Sequence, residues 1–172
     1  MMRASVGVAD ATLGVPDPRA MLDLGASFGA EAEAGTVLCL YGDLGAGKTV
    51  FAKGVAVGLG IGATVSSPSF VLMAEYEGRL PLFHIDLYRL ADSNDAQAGG
   101  LLDERQASGL TVIEWAERLG DAAPVDRVDV RIEGSGDGPR TVELTATDPG
   151  HRRLVERAVE RFDRRIEEQD GG

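Results

Sequence analysis

A mixed-sheet α/β fold is what the sequence predicts, and three observations carry that prediction. First, an apolar run of β-formers, "TVLCLY" (36–41), leads into the glycine stretch "GDLGAGKT" (42–49), which hands over to the helical rhythm of "VFAKGVAVGLG". Second, further apolar runs alternate with polar stretches, as expected for strands covered on both faces. Third, two pairs of runs are separated only by short turn-forming segments, the signal of hairpins within a sheet. A chain of 172 residues is long enough to bury one such core and short for two.

Each element has a local reason. "SVGVA" (5–9) reads as a short edge strand. A helix is expected from Pro18 to Ala34, with Asp17 as N-cap, proline at the first helical position and Gly35 as the stop. The strand 36–41 follows, then the glycine loop, then a helix from Lys48 to Leu59 that stops at Gly60. Residues 61–69, "IGATVSSPS", form a Gly/Ser/Pro loop before a hairpin of "FVLMAEY" (70–76) and "LPLFHIDLY" (80–88). A polar helical stretch at 93–102 precedes the buried strand "LTVIEW" (110–115), and a second hairpin joins "RVDVRIE" (127–133) to "RTVELTA" (140–146). The tail places Leu154, Val155, Ala158, Val159, Phe162 and Ile166 on one face of a helix, which reads as a terminal element docked on the domain or partly frayed.

Composition narrows the setting. Hydrophobic residues are 44% and charged residues 26%, ordinary for a globular protein, and no apolar run reaches the roughly 18 residues of a membrane span. The first residues do not read as a signal peptide, and the single Cys39 reads as a buried strand thiol. A cytoplasmic setting is the expectation. With 28 acids against 17 bases the net charge is −11, so autonomous nucleic-acid binding is not expected.

The stretch 42–49 fits G-x-x-x-x-G-K-[ST] at every fixed position, Gly42, Gly47, Lys48 and Thr49. Gly42, Gly45 and Gly47 let the backbone turn tightly and bring its N–H groups, with those of Asp43, Leu44 and Ala46, close to phosphate oxygens. The following helix N-terminus favours an anion. In this chemistry Lys48 reaches the β- and γ-phosphates and the Thr49 hydroxyl ligates Mg2+. Lys48 is also one of only two lysines, the other being Lys53. The expected fold is therefore a single P-loop NTPase domain with β-hairpins and flanking helices.

Such a site also needs an acid at a neighbouring strand end, to hold the metal or orient water, and both Asp86 and Glu114 qualify. His84 reads either as a core histidine or as part of the site. Arg89 could pair with a carboxylate or reach a phosphate. Tyr88 and Trp115 read as core aromatics. "SSPSF" (66–70) falls where a γ-phosphate switch would lie. The only asparagine, Asn94, is followed by Asp95, so the base-reading N-K-x-D motif of GTPases is missing. An arginine-rich kinase lid is not evident either, although a small-molecule kinase with an acidic lid at 91–105 stays as the alternative, beside a nucleotide-gated adaptor that hardly turns over.

"LYGDLGAGKT", "SSPSF", "HIDLYRL" and "VIEWAER", in this order and spacing, resemble the bacterial TsaE family, over roughly residues 15–145. That family is the ATPase subunit of the machinery that makes threonylcarbamoyladenosine at position 37 of tRNAs. The resemblance implies a Mg-dependent ATPase, slow alone, that works with two partners, TsaD and TsaB. It implies phosphate binding by Lys48, magnesium ligation by Thr49 and Glu114, a part in hydrolysis for Asp86, and a switch containing Ser67 and Ser69. Trp115 would lie beside the nucleotide. Residues 1–150 are then the P-loop ATPase domain and 151–172 a C-terminal amphipathic helical tail outside the resemblance. Before "LTVIEW" the family often has an aromatic-containing segment, and here "LLDERQASG" contains no aromatic residue.

Overall fold

The computed structural model describes residues 9–62, 65, 73–88 and 104–171. The expected strand at 5–9, apart from Ala9, the switch with Ser67 and Ser69, Arg89 and the helical stretch 93–102 lie outside the described residues.

Among the described residues seven strands form one mixed sheet: β1 (Ala11–Val15), β2 (Val37–Tyr41), β3 (Met73–Tyr76), β4 (Leu82–Asp86), β5 (Leu110–Glu114), β6 (Val128–Glu133) and β7 (Arg140–Ala146). Their order is β1-β7-β6-β2-β5-β4-β3. The central four, β6, β2, β5 and β4, run parallel; β1, β7 and β3 pair antiparallel at the two sides. Both expected hairpins are present, as β3–β4 and β6–β7. β1 was not among the expected elements. It is a five-residue edge strand whose outward positions are Thr12 and Gly14, so little in it marks a strand locally.

Among the described residues three α-helices accompany the sheet: α1 (Pro18–Glu31), α2 (Lys48–Gly58) and α3 (Pro149–Asp170). The Asp17 carboxylate accepts from the Ala20 N–H at 2.8 Å, so Asp17 caps α1 as expected. The expected end at Ala34 is corrected to Glu31, because Ala32 is already extended (ψ 147°) and buried on the way to β2. Gly35 instead sits in the turn beyond, at φ 93°. Arg79 closes the end of α1 from outside, donating from one guanidinium nitrogen to the carbonyls of Gly29 (2.7 Å) and Ala32 (2.8 Å). A cation on helix-end carbonyls is favourable both as a donor and against the helix dipole. Arg79→Ala is expected to lower stability by about 1–2 kcal/mol, read as a drop in the chemical-denaturation midpoint.

Strand alternation sorts the core into two faces. Leu38, Leu40, Val112, Val128 and Val130 meet Leu24 and Phe28 of α1 and Phe51 and Val55 of α2. Leu154, Val155, Ala158 and Phe162 of α3 are buried in that same core. Arg161 and Arg157 of α3 pair with Glu31, and Arg165 pairs with Asp23 at 2.9 Å. A smaller cluster of Cys39, Ile85, Leu87, Ile113, Ala116 and Leu119 lies on the other face. Burial, with Asp129 adding to it, pushes the Cys39 thiol up to about 12, in keeping with the inert strand thiol expected. No helix among the described residues is long and apolar enough to cross a membrane.

Backbone contact sets the spacing between α1 and α2. A Cβ on Gly25 would lie 2.2 Å from the Phe51 carbonyl, and one on Gly29 2.2 Å from that of Val55. Gly54 and Gly58 meet the Leu22 and Ala26 carbonyls equally closely. Two glycines four residues apart on each helix thus form one seam, and the seam fixes where α2, and with it the glycine loop, stands.

Candidate functional site

The glycine loop leaves the C-terminal end of β2, flanked by parallel β5 and β6, and opens α2. Clefts in open parallel sheets form at these carboxyl ends. Gly45 and Gly47 take φ of 81° and 121°, a region costly for other residues. A Cβ on Gly42 would meet the Ile132 carbonyl at 2.7 Å, so the base of the loop packs against β6. Gly47 caps α2 and brings no side chain to its first-turn N–H groups. Such N–H groups have no partner further back in a helix and suit an anion.

Lys48 is nearly buried, 4% exposed, despite its charge. Its ammonium donates to the carbonyls of Gly42 and Asp43 and lies 3.9 Å from the centroid of the Trp115 ring. Burial lowers its pKa, while Glu114, Glu117, Asp86 and Asp43 pull the other way. Thr49, one residue on, donates its hydroxyl to Glu114 Oε1 at 2.9 Å. The other carboxylate oxygen of Glu114 lies 2.5 Å from His84 Nε2. His84 is fully buried, and its Nδ1 has no hydrogen-bond partner among the described residues. His84 is thus buried in the core, as one reading had it, though with one ring nitrogen unpaired among the described residues, and its other nitrogen touches the candidate site through Glu114.

Asp86 and Glu114 end adjacent parallel strands and stand in register. This is why two acids 28 positions apart reach one place. Asp86 Oδ1 accepts from the Tyr88 N–H at 3.0 Å. The two expected core aromatics need correcting. Tyr88 is 47% exposed and Trp115 half-buried, and both line the cleft, with ring centroids 5.0 Å apart. Trp115 reaches that place by a left-handed backbone (φ 59°, ψ 42°), the one non-glycine positive φ among the described residues. Together with Leu44, Lys48, Thr49, Asp86 and Glu114 they enclose about 280 Å³. On the far side of the loop a second depression of about 180 Å³ is lined by Asp17, Met21, Gly136 and Arg140 among others.

Arg140 is the site residue that sequence reasoning missed. It stands at the start of β7, and its guanidinium reaches the carbonyls of Ala46 (2.8 Å) and Gly45 (3.2 Å) inside the glycine loop. A single arginine after a Gly/Asp/Pro turn carries no local sign of a contact 94 residues away.

Fold and cleft together define an α/β protein that gathers a lysine, a hydroxyl and two carboxylates around a glycine loop at the carboxyl ends of its parallel strands. Residues 15–142 match the model of the family described as threonylcarbamoyl adenosine biosynthesis protein TsaE. The chain belongs to the TsaE family. Among similar proteins, the tRNA threonylcarbamoyladenosine biosynthesis protein TsaE of Bacillus subtilis (strain 168) is 39% identical over 146 residues, 84% of this chain and 89% of that one. The Treponema pallidum (strain Nichols) protein of the same name is 43% identical over 112 residues, covering 65% and 83%. The crystal structure of Bacillus subtilis YdiB superposes with a TM-score of 0.71 at 33% identity, covering 87% of this chain and 94% of that chain.

Proposed function

We propose that this protein is a P-loop ATPase that binds ATP with Mg2+, hydrolyses it slowly alone, and acts with TsaD and TsaB in threonylcarbamoyl modification of adenosine 37 in tRNAs. The observation that supports this most is the Lys48–Thr49–Glu114 arrangement at the end of the glycine loop, found in a chain of the TsaE family.

The residues fit magnesium. A hydroxyl and a carboxylate oxygen 2.9 Å apart are hard donors, and a site with few protein ligands leaves room for water and phosphate oxygens. No cluster of three or more His, Cys, Asp or Glu among the described residues suggests an all-protein cage. Bound there, the ion supplies charge neutralisation on the β- and γ-phosphate oxygens. Thr49 and Glu114 would hold it, and His84 would keep Glu114 aimed by holding the opposite oxygen. Gly42 to Thr49 would wrap the phosphates, with the Lys48 ammonium moving from loop carbonyls to the β- and γ-oxygens. Asp86 would orient the water that attacks the γ-phosphorus and accept its proton as the bond to ADP breaks. The nucleoside would extend over the far side of the loop, toward the second depression beside Asp17 and Arg140.

Phosphate release from ATP, measured for the chain alone and with TsaD and TsaB, tests the reading. A slow basal rate that rises with the partners is expected, and Asp86→Asn should lower it by about a hundredfold while ATP still binds. A rate indifferent to the partners would remove the proposed role in modification. Transfer to a nucleoside or metabolite acceptor would favour the kinase reading, whose lid residues 91–103 lie outside the described residues. Turnover unaffected by Asp86→Asn would favour the adaptor.

A further inference from the structure

Arg140 uses every donor it has on backbone carbonyls. Nε donates to Ala46 (2.8 Å), Nη1 to Gly138 (2.5 Å) and Ser135 (3.2 Å), and Nη2 to Gly136 (2.9 Å) and Gly45 (3.2 Å). A guanidinium has five N–H groups in a fixed planar fork, and these five bonds account for all of them. Three go to the β6–β7 turn and two to the glycine loop, so one side chain ties the hairpin to the loop. The turn is shaped around it: Gly134 (φ 129°) leaves no room for a Cβ, which would lie 2.8 Å from Arg140 Cδ and 2.7 Å from the Pro139 carbonyl. Such a group differs from an arginine poised to grip a ligand, which would keep donors pointing into a cleft.

The bonds to Gly45 and Ala46 have a directional consequence. In a trans peptide the C=O and the following N–H point opposite ways. Holding the Ala46 carbonyl toward the hairpin turns the Gly47 N–H away from it. The Ala46 N–H is fixed too, on the Asp43 carbonyl at 3.0 Å. Glycines at 45 and 47 give the loop its shape but also leave it free to take others, because glycine has the widest choice of backbone conformations. Something outside the loop must select one.

We infer that Arg140 is a positioning residue for the phosphate site: it fixes the peptide planes from Gly45 to Gly47 from behind and so, with the Ala46 N–H held on Asp43, pre-aims the Gly47 N–H at an anion, without touching the anion itself. This rests on the reading of the loop as a phosphate cradle. Pre-aimed donors bind more tightly because less ordering remains to be done on binding.

The test uses inorganic tripolyphosphate, which isolates the cradle from nucleoside contacts, titrated into the full-length protein and into Arg140→Lys and Arg140→Ala while the amide signals of Gly45 to Thr49 are followed by NMR. Lysine keeps the charge but cannot bridge both segments with a planar fork. Both variants are expected to bind tripolyphosphate at least about tenfold more weakly, with the Gly47 amide signal displaced before any ligand is added. Wild-type affinity in Arg140→Lys would overturn the inference, since charge alone would then suffice. If Arg140→Ala fails to fold, Arg140→Lys and Gly134→Ala, which displaces the arginine stem, carry the comparison, and unchanged affinity in either overturns it. Failure of the wild-type protein itself to bind tripolyphosphate or ATP would instead remove the phosphate cradle, and this inference with it.

Discussion

Lys48→Ala is expected to abolish measurable ATP turnover and to weaken ATP binding by about two orders of magnitude or more, with the fold intact. The removed group is the only lysine ammonium lining the cleft, set where the loop meets α2. A charge-assisted contact made in a water-poor cleft that stabilises charge developing in the reaction is worth about 3–4 kcal/mol, which alone accounts for a factor of 10²–10³. The structural loss is smaller. Lys48 donates to two loop carbonyls and stacks on Trp115, contacts at a partly open edge of the core rather than within it. Circular dichroism and thermal melting should therefore show a folded protein with a midpoint within a few degrees of the wild type, while phosphate release falls to background. Retained turnover in a folded Lys48→Ala protein would mean that the lysine serves the loop's shape and not the phosphate.

Gly25→Ala is expected to be among the most damaging single-methyl additions at the described glycines outside the loop. Helix propensity alone favours the change by roughly 1 kcal/mol. The new Cβ, however, would lie 2.2 Å from the Phe51 carbonyl and 3.0 Å from the Val55 nitrogen, both backbone atoms with no rotamer to change. Relief requires the two helices to move apart, which loosens the tilted Phe28–Phe51 contact beneath (centroids 5.7 Å) and the core around it. A net loss of about 3 kcal/mol is the expected scale, a fall of roughly 6–12 °C in the thermal midpoint for a chain of this size. Gly54→Ala should behave alike, since it strikes the Leu22 carbonyl from the opposite side. The double variant should cost less than the sum, because helices already forced apart accommodate the second methyl. A midpoint that rises in Gly25→Ala would show that propensity outweighs the contact.

These two residues illustrate what a sequence displays and what it hides. Lys48 was legible as a candidate because the motif that carries it is local: eight consecutive residues between a strand and a helix. Glu114 and Asp86 were legible because each ends an apolar run, and parallel strands deliver their carboxyl ends to one edge. The glycine seam was visible only as four glycines in two helices, which propensity reads as weakness. Their spacing of four on each helix hinted at a shared face, but nothing local says which helix faces which. Arg140 was hidden for the same reason in stronger form, since its five acceptors are backbone carbonyls and leave no pattern of side-chain types. The end of α1 was misplaced because Gly35 looked like a stop, whereas the chain leaves the helix at Ala32 to bury that residue and Arg79 closes the carbonyls from another part of the chain. Trp115 was read as core because its aromatic character dominates, and its left-handed backbone, which swings the ring onto Lys48, has no signature in composition.

Carbonyl-to-glycine contact between α1 and α2 also decides which parts of the cleft can respond to a ligand. Helices meshed backbone to backbone cannot slide or roll past one another without collision, so α2 and the loop riding on it behave as the fixed jaw of a vice. The opposite wall is built on the sheet: Asp86 and Glu114 end β4 and β5 in register, and β5 is paired in turn with β2, so on that side only the side chains, those of Tyr88 and Trp115 among them, are free of backbone interlock. Adjustment to a molecule in the cleft is therefore left to side chains at the strand ends, with α2 and its loop as the fixed reference against which they turn.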